Sequence, residues 1–322
     1  MSHGQRRKFL LAAGALLTAP LVTEAQRANT PRIGVLIVAN PEPFLTLFHE
    51  GLRSIGYVDG ENIRIEFRSA DGKLSLLPDL AAELVRLKVD AVVAVQTPAV
   101  MAARGATNTI PIVMAPAADP VGSGLVASLA RPGGNITGLS FATAELMGKN
   151  LEFLREIIPT VRRVAFLGVA ADPVTKTFVS QLQHAGSTLG IEVRPMIIGG
   201  SADGLGAAFV QIVKERMGAV VLQPSLPRKP AADLALAQRL PAISPNRGLP
   251  EAGGLMSYAG SLEEVYRKAP TYLLKILKGG RPADLPIEQP TKFELVINVK
   301  TATALGIKIP QSLLARADHL IE

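Results

Sequence analysis

The sequence predicts an α/β protein made of two doubly wound parallel-sheet lobes. Short apolar, β-branched runs that stop at Pro, Gly, Asn or Asp alternate with stretches of helical period. The alternation fills two blocks, about 31–138 and 139–257, each of ordinary domain size. Between them lies Arg131-Pro132-Gly133-Gly134-Asn135, where turn chemistry is dense and no periodicity survives. Continuous apolar strands alternating with amphipathic helices are the pattern of parallel sheets covered on both faces.

The elements follow in order. Ile33–Val38 reads as a buried strand ending at Asn40-Pro41, and Phe44, Leu45, Phe48, Leu52 and Ile55 have helical spacing up to Gly56. Residues 62–67 alternate like a strand, and Leu76–Leu87 reads as a helix. Ala91–Val95 is the next strand, halted at Gln96-Thr97-Pro98. Ile112–Met114 is broken by Pro116 and Asp119-Pro120, after which Gly122-Ser123-Gly124 opens a helical run. In the second block the strands are Val164–Leu167, Val193–Ile198, Ala219–Leu222 and Ala242-Ile243. The helices between them are 176–189, 204–216 and 232–239.

The start of the chain has a different composition. Arg6-Arg7-Lys8 precedes an uncharged, mostly apolar run from Leu11 to Thr23, with small residues at Thr23 and Ala25. This is the pattern of a secretory signal over 1–25, cut after Ala25. The run is shorter than the roughly 20 residues of a bilayer-spanning helix and is interrupted by Pro20. Arg6-Arg7 with Phe9-Leu10 resembles a twin-arginine signal, an ordinary Sec signal being the alternative.

Composition narrows the function. The chain has 322 residues, a formal net charge of +7 and no cysteine. The absence of cysteine excludes a disulfide scaffold, a thiol nucleophile, an Fe–S site and a lipid anchor at the cleavage point. A soluble periplasmic chain is therefore expected. The positive charge is dispersed and aromatic residues make up only 4% of the chain, which argues against nucleic-acid binding.

No catalytic constellation stands out. His49 and His184 fall in expected helices, and His3 and His319 near the ends, without metal spacing. The sequence contains no GxSxG elbow and no phosphate loop. Asp119 and Asp172 could meet across a cleft, but each stands in an Asp-Pro turn. Neither a metal nor a cofactor is expected, and capture of a ligand fits better than its conversion. Ligands of open parallel sheets sit beyond the carboxyl ends of the strands. Those ends carry Asn40, Thr97, Asp119, Asp172, Ser225, Asn246 and Tyr258, each able to touch a ligand or to cap the next helix.

Three segments carry a family resemblance. They are the stretch from Pro282 to Asn298 with Lys300-Thr301-Ala302 and Leu305-Gly306, the stretch from Asp119 to Val126 with Leu129 to Gly138, and Ser312 to Asp318. Together they resemble ABC transporter substrate-binding proteins of the tryptophan/tyrosine type. The resemblance implies a type I periplasmic binding fold with three crossovers and a ligand enclosed between the lobes. One lobe would comprise 31–138 plus 258–286, the other 139–257 plus 287–322. Leu262–Leu277 would be a helix of the first lobe, and Phe293–Val299 a strand of the second. By position the resemblance nominates Asn40, Glu42, Thr97, Asp119, Phe141, Asp172, Ser225 and Tyr258 for the pocket.

The chain departs from the family pattern at Ala118, at Asp172-Pro173 and at Leu226-Pro227-Arg228 after Ser225. The implied function is capture of a small ligand, an aromatic or other amino acid, for an importer permease, by a monomer. A ligand sensor for a membrane receptor and an exported enzyme are the rivals.

Overall fold

A computed structural model describes residues 30–141, 143–199 and 203–322. The expected export signal over 1–25 lies outside the described residues. Along the chain come β1 (Arg32–Ile37), α1 (Phe44–Ser54), β2 (Arg64–Ser69), α2 (Leu77–Arg86), β3 (Ala91–Val95), α3 (Thr97–Ala106), β4 (Ile112–Ala117) and β5 (Ile136–Ser140). These are followed by α4 (Thr143–Ile157), β6 (Arg163–Val169), α5 (Thr175–Leu189), β7 (Glu192–Ile198), α6 (Asp203–Lys214), β8 (Ala219–Leu222), α7 (Arg228–Ala237), β9 (Ala242–Ile243), α8 (Gly248–Glu251) and β10 (Met256–Gly260). The chain closes with α9 (Leu262–Leu277), β11 (Phe293–Asn298), α10 (Val299–Ala304), α11 (Gln311–Leu314) and β12 (His319–Ile321).

Two sheets result. The first has the order β2-β1-β3-β4-β5 with every pair parallel. The second has the order β12-β11-β10-β9-β8-β6-β7, and only β10 and β11 run antiparallel.

The strands are continuously apolar because helices cover both of their faces. Ile33, Val35 and Ile37 pack with Phe44, Phe48 and Leu52 of α1 and with Val265, Ala269 and Leu273 of α9. Leu36, Val92 and Ile112 point the other way, onto Leu84 of α2 and Val100 of α3. The second sheet repeats the arrangement. Val164 and Phe166 pack with Leu151 of α4 and Phe178 of α5. Ala165 and Leu167 pack with Phe209 of α6 and Ala235 of α7.

The chain passes between the sheets three times, so the molecule is a two-lobed α/β structure with a multi-stranded hinge. The first passage leaves β5 at Ser140 and enters α4, and the second leaves β10 at Gly260 and enters α9. The third follows Glu288, which still bridges Leu139 of the first sheet, and ends at Phe293 in the second. Ser261 caps α9 by accepting the Glu264 N–H at 3.4 Å. Tyr272 of α9 ties the third passage down, donating its hydroxyl to Pro286 O at 2.7 Å.

The expected helical run after Gly122 does not form. Residues 121–130 make turns instead, with the Leu125 and Val126 amides both donating to Pro120 O and Gly124 at φ 68°. Those two apolar side chains are still buried, in the core shared with α2 and α3. Five helices among the described residues, α3, α4, α8, α10 and α11, stand where the sequence reading gives no helix.

Gly138 in β5 has φ +123°, and a Cβ there would stand 2.5 Å from Met114 O and 2.6 Å from Met114 N. Both obstacles are backbone atoms of the neighbouring strand. Gly138→Ala should therefore lower unfolding stability by about 2 kcal/mol or more in denaturant titration. A loss below about 0.5 kcal/mol would show that the β4–β5 contact is looser than described.

Candidate ligand-binding site

The carboxyl ends of β3, β4, β6 and β8 face a cleft between the lobes, and the segments leaving them line it. Across the cleft, Ala118 and Leu74 of the first lobe pack at the margins of the second lobe's cores. Two spaces open there. An inner pocket of about 60 Å³ is lined by Thr97, Phe141, Phe178, Asp172, Asn246 and Tyr266, among others. An outer chamber of about 670 Å³ is lined by Asn40, Glu42, Arg228, Gly248 and Glu251, among others. Gln96, Pro224 and Ser225 line both. A third, larger groove of about 990 Å³ runs between α2 and α3 on one side and Ala171, Pro173, Gly199 and Pro227 of the second lobe on the other. Its polar side chains, Asp71, Lys73 and Ser75, all come from one first-lobe segment instead of converging from both walls as in a small-molecule site.

Asp172 is the chemical centre of the inner pocket. It follows β6 and is only 4% exposed. Its Oδ1 accepts the Val174 N–H at 3.2 Å. Burial pushes its carboxyl pKa up, and the Ser225 hydroxyl, the Val174 N–H and the Gln223 side chain offset this in part. Among the described residues no cation forms an ion pair with it.

Gln223 is fixed through its Oε1, which accepts from Val169 N and from Thr175 Oγ1, each at 3.0 Å. Its buried Nε2 and the buried Ser225 Oγ have no aligned hydrogen-bond partner. Both donors stand beside Asp172, close enough to act on its titration.

The first lobe supplies the facing wall. Thr97 is buried, and its Oγ1 accepts Ala118 N–H at 3.0 Å, holding the ends of β3 and β4 together. Phe141 stands in the first passage between the sheets and packs at the edge of the α1–α9 core. Tyr266 of α9 meets Phe44 edge-on at 5.1 Å. Burial pushes its phenol up to about 12, against the pull of the Arg228 charge.

Of the residues nominated by sequence, Thr97, Phe141, Asp172 and Ser225 come together in the inner pocket. Asn40 and Glu42 lie in the outer chamber, where Asn40 Oδ1 accepts Glu42 N–H at 3.0 Å and Glu42 Oε2 accepts Thr46 Oγ1–H at 2.8 Å. Asp119 is not among the lining residues; its Oδ1 accepts Gly122 N–H at 2.8 Å and closes the turn. Tyr258 is not among them either. It stacks on Phe293 at 6.0 Å and meets Phe153 at 5.0 Å, on the face of β10 that packs toward α4. Asn246, named among the strand ends though not by the resemblance, also lines the inner pocket, and Gln96 and Tyr266 are lining residues that the sequence reading omits.

A family model for ABC transporter substrate-binding proteins matches residues 45–321. The chain belongs to that family. A tyrosine-binding protein from Clostridioides difficile is 27% identical over 270 residues, 81% of this chain and 76% of that protein. The ABC domain from Streptococcus pneumoniae in complex with L-Trp superposes with a TM-score of 0.83 at 27% identity, over 91% of this chain and all of that one. A conserved domain protein from Vibrio cholerae gives 0.84 at 25% identity, over 90% and 99%. The family's members are substrate-binding proteins rather than enzymes. His49 and His184 lie in α1 and α5 and do not line the cleft. Among the described residues no helix is long and apolar enough to cross a membrane, and no three carboxylates or histidines are grouped to hold a metal ion.

The raised pKa of Asp172 fixes the sign of a stability test. Folding disfavours the ionised form, so this residue is most favourable below an ordinary carboxylate pKa near ~3.9 and opposes folding as pH rises through the folded value. Asp172→Asn should therefore gain stability relative to the parent between about pH 4 and pH 7, read by urea unfolding at each pH. A relative loss over that interval would mean that the carboxylate is favourably solvated or paired.

Proposed function

We propose that this protein captures an amino acid with an aromatic side chain between its lobes and delivers it to the permease of an ABC importer in the periplasm. The observation that carries this reading is the buried, unpaired Asp172 carboxyl in a pocket walled by Phe141, Phe178 and Tyr266. A ligand ammonium is the counter-ion that such a carboxylate lacks, and a charge-assisted contact there would offset its desolvation. Phenyl and phenol faces suit an aromatic body, through offset or edge contacts worth about 0.5–1.5 kcal/mol beyond burial. The relatives support the same class: one is named for binding tyrosine and another holds L-Trp. The family and the export signal expected over 1–25 support the importer and the periplasm.

The lobe arrangement supplies the mechanism. An inner pocket of about 60 Å³ is far below the roughly 300–1,000 Å³ of ordinary small-molecule pockets, so an amino acid enters only when the lobes part. Asp172 and Ser225 belong to the second lobe, and Thr97 and Tyr266 to the first. A ligand touching all four binds the closed form better than the open one, and that difference drives closure. The permease then reads the closed shape.

Titration of the mature chain with the common amino acids tests the reading. A matching ligand at about 100 times its dissociation constant should add about 2.7 kcal/mol of stability. Asp172→Asn should weaken that ligand by about 10- to 100-fold, the range of a hydrogen bond to a charged group. Asp119→Ala should lower stability without changing the dissociation constant. Affinity for the ligand should also fall as acid protonates Asp172, with a midpoint above that of an ordinary aspartate near ~3.9. Failure of every amino acid to raise the melting temperature would remove the amino-acid assignment.

A further inference from the structure

We propose that Arg228 is the carboxylate-binding residue of the cleft, a specificity determinant that turns the pocket from a general amine site into one for whole amino acids. The inference rests on the amino-acid reading above and adds the second end of the ligand to it. Arg228 is the first residue of α7, is half-buried and lines the outer chamber. It forms no hydrogen bond or ion pair with any described residue, although its charge acts on the Tyr266 phenol across the cleft.

The neighbouring cations are already engaged. Lys229 pairs with Asp233, Arg247 with Glu251 and Glu294, and Arg267 with Glu50 and Glu263. Arg228 is thus a guanidinium held at the mouth of a ligand cleft with its donors unspent. Five N–H groups in a planar fork match a carboxylate better than any other side chain does.

Its position is built in by the residue beneath it. A Cβ on Gly248 would stand 2.6 Å from Arg228 Nη1 and 3.1 Å from both Cδ and Cζ. The guanidinium therefore lies across the bare Gly248 backbone, which Asn246 fixes by accepting Gly248 N–H at 2.9 Å. Ser225 stands between the two charges of the site: it lines the inner pocket with Asp172 and the outer chamber with Arg228, and its buried Oγ has no aligned partner. An α-amino acid carries its ammonium and carboxylate on one carbon. Placed at Ser225, it would reach Asp172 on one side and Arg228 on the other, with its body against Phe141 and Phe178.

The other candidate for the carboxylate, the N-terminus of α3, has fewer donors to offer. Pro98 has no N–H, and the amides of Ala99 and Val100 turn back to Gln96 O. Arg228 comes from the second lobe and its charge acts on the Tyr266 phenol of the first, so a carboxylate held by Arg228 in the cleft also helps to keep the lobes shut.

Calorimetry with three probes tests the proposal: L-tyrosine or L-tryptophan, the matching amine without a carboxylate (tyramine or tryptamine), and the matching acid without an amine (hydroxyphenylpropionate or indolepropionate). Arg228→Gln should weaken the amino acid and the acid by about 10- to 100-fold and leave the amine within about twofold of the parent. Gly248→Ala, which displaces the guanidinium without removing its charge, should shift the same two probes in the same direction. Asp172→Asn should give the opposite pattern, losing the amine and sparing the acid. Ligand-free melting should not change in Arg228→Gln, because the side chain has no partner to lose.

If Arg228→Gln binds the amino acid as the parent does, the proposal is overturned and the amino-acid reading stands. Equal loss of amine and acid also overturns it, since that is a structural effect. If the parent binds none of the probes, the amino-acid reading fails and this proposal falls with it.

Discussion

A carboxyl buried to 4% exposure without a cation is the constraint around which the cleft is built. In isolation such a group costs free energy, and proteins ordinarily pair it or leave it in solvent. Here the surroundings do neither. Val174 N–H, Ser225 Oγ and Gln223 Nε2 stand near enough to lessen the desolvation, yet only the Val174 bond is aligned. Gln223 is held by Val169 and Thr175 on its carbonyl side, so its amide is fixed toward the carboxyl. The second lobe thus presents a rigid, under-satisfied acid at the end of β6, and a contact from outside the chain gains more there than at a solvated aspartate.

The connectivity determines what can meet that acid. The chain crosses between the sheets three times, so neither lobe can rotate about a single bond. The second crossing sends α9 back to the first lobe, and α9 is what carries Tyr266 to the pocket. The third crossing is pinned at both ends. Glu288 accepts from Tyr272 Oη at 2.9 Å and pairs with Lys268, and on the far side Glu294 pairs with Arg247 at 2.8 Å and with Lys292 at 3.4 Å. Burial opposes ionisation of both glutamates, yet the hydrogen bonds and charges around them prevail and hold their pKa values below the ordinary range. The third crossing is therefore tied to the first lobe at Glu288 and to the second at Glu294. Such a joint supports opening and closing as one rigid-body motion rather than local fraying.

Much of this was legible in the residues. The strands Ala91–Val95 and Ala219–Leu222 stand where hydrophobic period and breakers put them, and the helix Leu262–Leu277 stands where the family resemblance puts it. Thr97, Asp172 and Ser225, which line the inner pocket, were legible from strand ends alone, the place where open parallel sheets form their clefts. Tyr258 shows where that logic stops. It reads as a strand end but stands in the middle of β10, and because side chains alternate along a strand it shares the face of Met256, which is buried in the core with α4. The strand was readable; its end and its face were not. Asp119 failed for a local reason: with Gly122 three residues on, its carboxylate had a backbone N–H within reach and took it. Tyr266 could not be placed from sequence at all, since its face of α9 meets the pocket only after the chain has changed lobes twice.

Gln96 brings the strain of the fold to the same place. Its φ of 74° and ψ of 151° lie in a region populated almost only by glycine, at a cost of about 1–3 kcal/mol. The backbone on either side leaves no milder route. Gln96 N–H donates to Pro116 O at 3.0 Å as β3 ends, while Gln96 O already accepts the Ala99 and Val100 amides of the next helix. Strand and helix must therefore turn within one residue. Glycine would make that turn without strain, but it would remove the only polar side chain of the first lobe that, among the described residues, borders both the inner pocket and the outer chamber. The sequence keeps a strained amide where a relaxed glycine would serve the fold better, which places the demand for this residue in the cleft rather than in the sheet.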